Sequence, residues 1–178
     1  MTRNELLTRY AAGERDFRNA YMQGVNLSGE NLAGANLSGA CLAGASLAGA
    51  NLSRTNLYKA HLFRANLAGA DLVRANLAGA NMYKANLYRA NLPGADLTDA
   101  DLTEAILTYA NLSDANLTWA NLTWANLSGA NLTWATLTRA SLAWAQLTGA
   151  NLAGANLTRA ILTDAILTDA ILPKGFNR

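Results

Sequence analysis

The hydrophobic positions of this chain fall at a strict spacing of five. From Leu27 to Leu172 every fifth residue is leucine, Met82 excepted. Two residues before each leucine, from Ala35 to Ala170, stands an alanine, with Thr55 the single exception. The residue directly before the leucine is mostly Asn or Asp, and the one after it is mostly Ser, Thr or Ala. The fifth varies among Gly, Arg, Lys, Asp and Trp. On an α-helix five residues turn through about 500°, so successive leucines drift by ~140° and form no stripe. In a flat strand an odd period sends alternate leucines to opposite faces. A chain that turns once in every five residues, always in the same sense, brings every leucine and alanine to one axis. Asn, Asp, Ser and Gly tolerate such turns. The pattern predicts an all-β solenoid, with alanine where the space beside a corner admits only a methyl group.

The unit A-(N/D)-L-x-x, as in Ala35-Asn36-Leu37-Ser38-Gly39, resembles the pentapeptide-repeat family over nearly the whole chain. The resemblance implies a right-handed β-helix of square section, four units to a coil. Residues 15–174 then make about eight coils, a rod roughly 35–40 Å long at the ~4.8 Å spacing of paired strands.

Both ends of a solenoid need covering. Residues 1–14 read as a short capping α-helix. Thr2-Arg3-Asn4-Glu5 has the form of a capping box, and Leu6, Leu7, Tyr10 and Ala11 make an apolar stripe before Gly13. Glu30 stands where alanine belongs, and a bare buried carboxylate costs too much, so it is expected turned outward or paired with the cap. At the other end Ile161, Ile166 and Ile171 fill the polar slot, followed by Pro173 and by a C-terminal tail, 175–178, that carries Phe176. Two readings stand for that end. The tail folds back over the last coil, or the apolar rim is a homodimer contact.

Composition narrows the function. A formal charge of +2 is too small to imply a polyanion as partner, and nucleic acid is disfavoured. The lone cysteine, Cys41, permits no internal disulfide. The N-terminus lacks a signal-peptide pattern and no apolar run approaches the ~20 residues of a membrane span, so a cytoplasmic protein without membrane contact is expected. Residues twenty apart share a column, and Cys41, His61, Asn81 and Asp101 share one. These are parallel outward slots on a flat wall. They lack the pocket and oxyanion donors of a hydrolase, and they do not converge as metal ligands must. No phosphate-binding or dinucleotide motif is present. The expectation is a protein that is not an enzyme and binds no cofactor.

Four surface groups remain. Arg54, Tyr58, Lys59, Phe63, Arg64, Arg74, Tyr83, Lys84, Tyr88 and Arg89 form a basic-aromatic belt on coils two to four. It is either a solvated face with stabilising aromatic ladders or a surface that holds a nucleic-acid backbone and stacks bases. Coil five is acidic, with Asp99, Asp101, Glu104 and Asp114, and Asp96 at its start. Trp119, Trp124, Trp134 and Trp144 stand on outward slots, as partner contacts or, for Trp124 and Trp144, as a stacked column. The threonine column Thr98, Thr118, Thr138 and Thr158 is accounted for by β-propensity rather than by ice binding. The leading function is a non-enzymatic scaffold or protein-interaction module whose partner the sequence does not identify. The resemblance also implies an alternative, a DNA mimic that engages DNA gyrase, but such proteins are strongly acidic and this chain is not.

Overall fold

The computed structural model describes residues 1–176; Asn177 and Arg178, the end of the expected tail, lie outside the described residues. The chain is a right-handed β-helix of square section with one short helix, α1 (Arg3–Ala11), at its N-terminus. Parallel bridges join residues twenty apart, as in Asn36 to Asn56 and Asn56 to Asn76. Bridge positions recur every five residues from Asp16 to Ile171, which makes eight coils of four. Coil one starts at Asp16, coil two at Asn36, and so on. Wall one carries Asn36 and Asn56, wall two Cys41 and His61, wall three Ser46 and Asn66, wall four Asn51 and Asp71.

The five-residue unit satisfies each of its own backbone donors, and the unit at Ala35 shows how. Ala35 N donates to Leu32 O (3.0 Å), closing the corner. Asn36 N reaches back one coil to Arg15 O (2.6 Å). Leu37 N and Gly39 N reach forward to Asn56 O (2.7 Å) and Tyr58 O (2.8 Å). That leaves Ser38 N, which points out of the ladder and is taken by the Asn36 side chain at 3.2 Å. Asn or Asp before the leucine is therefore an acceptor for the amide two residues on, an Asx turn. It also links coils: Asn131 Nδ2 donates to Asn111 Oδ1 (3.1 Å), and Asn111 Nδ2 to Asn91 Oδ1 (3.3 Å).

Every interior leucine from Leu27 to Leu152 is fully buried, and the alanines between them are buried beside the corners. Thr55 is buried in an alanine slot because its hydroxyl donates to Leu32 O at 3.0 Å. At the N-terminal end α1 lies over coil one. Thr2 Oγ1 accepts from Glu5 N (3.2 Å), while the Glu5 carboxylate turns to Arg9, so the capping box is half formed. Leu6 is buried, the Met1 amine donates to Tyr21 O (2.7 Å), and the Tyr10 hydroxyl donates to Ala33 O (2.8 Å). Glu30 pairs with Arg3 of the cap. Among the described residues the other end has no comparable cap. Leu157, Leu162, Leu167 and Leu172 of coil eight are only partly buried, and Phe176 only reaches back to Pro173 O through its own amide (3.2 Å). Phe176 is partly buried, and the expected tail beyond it lies outside the described residues. Among the described residues no helix is long and apolar enough to cross a membrane.

Two interior substitutions should separate packing from hydrogen bonding. Leu87→Ala leaves a cavity between coils that cannot collapse, at a cost of about 2–5 kcal/mol. Thr55→Ala restores the regular residue and loses one hydrogen bond, while Leu32 O keeps the Ala35 amide, so less than ~1 kcal/mol is expected. Denaturant midpoints of the two variants measure both.

Candidate interaction surface

The outward slots are not equivalent. The fifth residue of every unit, from Asn19 to Asp169, has a positive φ, between 52° and 71°. With the Ala-to-Leu hydrogen bond this is a type II turn, whose third residue favours glycine. Arginine, lysine, tryptophan and acidic residues nonetheless occupy many corners, each at a cost of ~1–2 kcal/mol relative to a relaxed backbone. Side chains at these corners lie along the column toward the next coil. A Cβ on Gly154 would come within 2.5 Å of the Trp134 ring, and one on Gly129 within 2.5 Å of the Tyr109 ring. The Lys59 stem lies over Gly79 and the Arg74 stem over Gly94 in the same way. Several corner glycines are thus seats for a side chain one coil earlier. The spacing of the repeat marked those glycines only as turn residues.

The four tryptophans are all corner residues on coils six and seven, and all are exposed, Trp134 the most at 70%. Trp124 and Trp144 stack with centroids 5.0 Å apart and planes within 9°. Trp119 carries the Arg139 guanidinium 4.5 Å from its ring centre. Trp134 has only its glycine seat, as the column arrangement requires.

The basic-aromatic belt does not form one face. Arg54 and Arg74 are on wall four, Tyr58 and Lys59 on wall one, Phe63, Arg64, Tyr83 and Lys84 on wall two, and Tyr88 and Arg89 on wall three. Four of the cations lie over the aromatic residue just before them: Lys59 over Tyr58 (5.1 Å), Arg64 over Phe63 (5.0 Å), Lys84 over Tyr83 (5.0 Å) and Arg89 over Tyr88 (5.2 Å). Phe63 also stacks on Tyr83 at 5.8 Å. Glu104 of the acidic coil closes this cluster. It accepts from the Tyr83 hydroxyl (2.8 Å) and sits 3.1 Å from Lys84 Nζ. The Tyr83 hydrogen bond first, and Lys84 next, hold its carboxyl below the usual range. Arg54 and Arg74 have neither a carboxylate nor a ring among the described residues.

The column of Cys41, His61, Asn81 and Asp101 is joined through its backbone bridges, with side chains side by side and no hydrogen bond between Cys41 and His61. Among the described residues no three His, Cys, Asp or Glu side chains are grouped to hold a metal ion. The Thr98, Thr118 and Thr158 hydroxyls donate to Asp96, Asn116 and Asn156 of their own units at 2.6–2.7 Å, so the threonine column is turned back on the Asx turns. At the bare C-terminal end Ile161, Ile166 and Ile171 are about half exposed around the rim.

A family model described as pentapeptide repeats matches the chain in eight copies, over overlapping ranges from 16–54 to 140–174. Among solved structures the chain is 36% identical to HetL, a pentapeptide repeat protein involved in heterocyst differentiation regulation from the cyanobacterium Nostoc sp. strain PCC 7120. That match covers 100% of both chains with a TM-score of 0.48. It is 28% identical to a pentapeptide repeat protein of the Arabidopsis thaliana thylakoid lumen, over 68% of each chain with a TM-score of 0.31. It is 19% identical to a trypsin-treated form of QnrB1, a plasmid-mediated fluoroquinolone resistance protein, over 88% of each chain with a TM-score of 0.44. No curated protein sequence matches the chain significantly.

Gly154→Ala and Gly149→Ala put the same methyl group at corners of similar φ, 71° and 66°, so both should lose similar backbone stability. Only the first meets a ring. Gly154→Ala is therefore expected to lift Trp134 off its seat and raise its quenching by acrylamide, with Gly149→Ala leaving the fluorescence unchanged. The Glu104 contacts carry a pH dependence of definite sign. Its carboxyl titrates lower folded than unfolded, so its contribution is full above the ordinary carboxylate range and is lost as pH falls through the folded midpoint. Side-chain NMR titration should find that midpoint raised by Tyr83→Phe.

Proposed function

The chain belongs to the pentapeptide-repeat family, and on that premise we propose that it is a non-enzymatic protein-interaction module whose contact surface is the tryptophan-bearing part of coils six and seven. The observation that carries this reading is the placement of Trp124 and Trp144. Both occupy strained corners, both remain about half exposed, and their stacking fixes them as one flat aromatic plate. Large rigid rings held at low entropic cost are the commonest anchors of protein contacts. Trp119, its ring covered on one side by Arg139, stands at the preceding corner of the same coil. The partner is a protein surface that offers an apolar side chain to the plate, beside a Glu104 already held by Tyr83 and Lys84.

A second observation supports self-association at the bare end. Among the described residues the amides of Leu157, Leu162 and Leu167, which face away from coil seven, meet no backbone carbonyl, inside a rim of Ile161, Ile166 and Ile171. An unpaired edge of this kind is a template for a second edge, here the same coil of another copy. The two remaining alternatives have less support. A DNA mimic needs an acidic surface, and Glu104 is neutralised by Lys84. A nucleic-acid backbone needs a line of free cations on one face, and the belt runs around all four walls with most of its cations held on rings.

Affinity capture from a native lysate, with wild-type and Trp124→Ala/Trp144→Ala baits compared by quantitative mass spectrometry, tests the main reading. Specific partners should be retained by the wild type and lost at least tenfold by the double variant at unchanged circular dichroism. Partners retained equally by both would sink it.

A further inference from the structure

The last turn of the solenoid is out of register by one residue. In a regular unit the alanine amide closes the corner on the leucine carbonyl, as Ala95 N does on Leu92 O at 3.1 Å. The residue before that alanine, here Gly94, takes the positive φ. After Leu172 the corner is closed instead by Phe176 N on Pro173 O (3.2 Å), and the positive φ, 77°, falls on Gly175 rather than on Lys174. Glycine is the residue that takes this conformation without steric cost, and it holds the third place of the shifted turn.

The shift has a consequence one coil back. The corner amides of coil seven donate forward to coil eight: Arg139 N to Thr158 O, Trp144 N to Thr163 O and Gly149 N to Thr168 O, each at 2.9 Å. The fourth of them, Gly154 N, would donate to Pro173 O, but that carbonyl has turned to Phe176. Among the described residues Gly154 N has no acceptor. It belongs to a depression of about 620 Å³ at the C-terminal end of wall four, lined by Trp134, Ile171, Leu172, Pro173 and Lys174. The Trp134 ring lies on Gly154 and is still 70% exposed. Lys174 has neither a carboxylate nor a ring as partner among the described residues.

We infer that this depression is a carboxylate site that takes the C-terminus of a polypeptide whose last residue is apolar. The Gly154 N–H and the Lys174 ammonium are the two groups left to receive the carboxylate, one by a charge-assisted hydrogen bond and one as a point charge. Free backbone N–H groups at positive-φ turns are used in this way to capture terminal carboxylates. The last side chain then lies against Trp134 on one side and Leu172 and Pro173 on the other. A cation is the wrong occupant. No acidic side chain lines the depression, and Lys174 would repel it.

The site is open on its outer side, which favours a chain end over a free acid. A free small molecule is normally enclosed over most of its surface, whereas the last residue of a chain needs cover on one side and an exit for the rest. Both donors face water when the site is empty, so the gain on binding is modest, and a Kd on the order of 1 mM is expected. The depression stands at the corner after wall four and the Trp124–Trp144 plate at the corner after wall two, diagonally across the rod. The two sites are independent.

The test is an NMR titration of the full chain with N-acetyl-dialanyl-phenylalanine. The Gly154 amide and the Trp134 indole resonances should shift together and saturate. The same peptide with its carboxyl amidated should bind at least fivefold more weakly. 3-Phenylpropionate, which has the ring and the carboxylate without the chain, should bind at least threefold more weakly. Lys174→Ala is exposed and should leave circular dichroism unchanged while weakening the peptide at least threefold. Gly154→Ala, whose methyl group displaces Trp134, should abolish binding. Trp124→Ala/Trp144→Ala should leave it unchanged, so that this site and the plate succeed or fail separately. Absence of a saturable shift, equal binding of the amidated peptide or a Lys174→Ala chain that binds normally would overturn the proposal. So would 3-phenylpropionate binding as tightly as the peptide, or loss of the peptide in the plate variant.

Discussion

A chain that turns at every fifth residue must still find an acceptor for every backbone amide, and this requirement shapes the whole structure. Four of the five donors in a unit are satisfied by the corner and by the coils before and behind. The fifth, on the residue after the leucine, points out of the ladder. In water it costs nothing, but on a wall crowded by neighbouring coils it needs a partner. Asn or Asp two residues earlier supplies one, at 3.2 Å in the unit of Asn36 and 3.0 Å in that of Asn51. The repeated Asn is thus part of the backbone's hydrogen-bonding, while leucine and alanine fill the space inside. Where the pattern departs from this, it does so with compensation: the buried Thr55 hydroxyl donates to Leu32 O of the preceding coil.

Much of this was legible before any coordinates. A period of five excludes helix and flat strand, and the inward leucine and alanine followed from that exclusion. The cap followed from the Thr2 motif and the stripe at Leu6 and Tyr10. The pairing of Glu30 followed from the cost of a bare carboxylate, and Arg3 meets it. What escaped were properties of the column rather than of the unit. Nothing in the unit itself says that the fifth residue has positive φ, because most of the residues found there are not glycine. Nor does a single unit reveal that Gly154 and Gly129 are seats for Trp134 and Tyr109. Reading the chain at a spacing of twenty, glycine after bulky residue, would have found the seats. The belt looked continuous along the chain because coils two to four are contiguous in sequence; five residues are a quarter turn, so contiguous units face four different ways.

Neighbours in space are twenty residues apart, and so the availability of a surface side chain is decided one coil on. Lys84 is spent because position 104 is glutamate. Trp124 is doubled because position 144 is also tryptophan, and Trp119 is partly covered because position 139 is arginine. Arg74 has glycine ahead of it and stays free. Each column is a separate list, and a substitution on one wall leaves the others unchanged. That independence lets one rod carry an aromatic plate on one edge and a flat polar wall on another without either constraining the core.

Net charge is then a poor descriptor of how such a rod associates. The total of +2 conceals an axial gradient, from cations on coils two to four, through carboxylates on coil five, to tryptophans on coils six and seven. Two rods aligned in the same sense set like against like at every level. Two rods in opposite sense set cation against carboxylate and cation against ring. The ends follow a different rule. One is closed by the N-terminal cap, whose Met1 amine and Tyr10 hydroxyl take up the carbonyls of Tyr21 and Ala33. The other offers open amides within an isoleucine rim, where the charge along the rod has no say and only the geometry of the ladder counts.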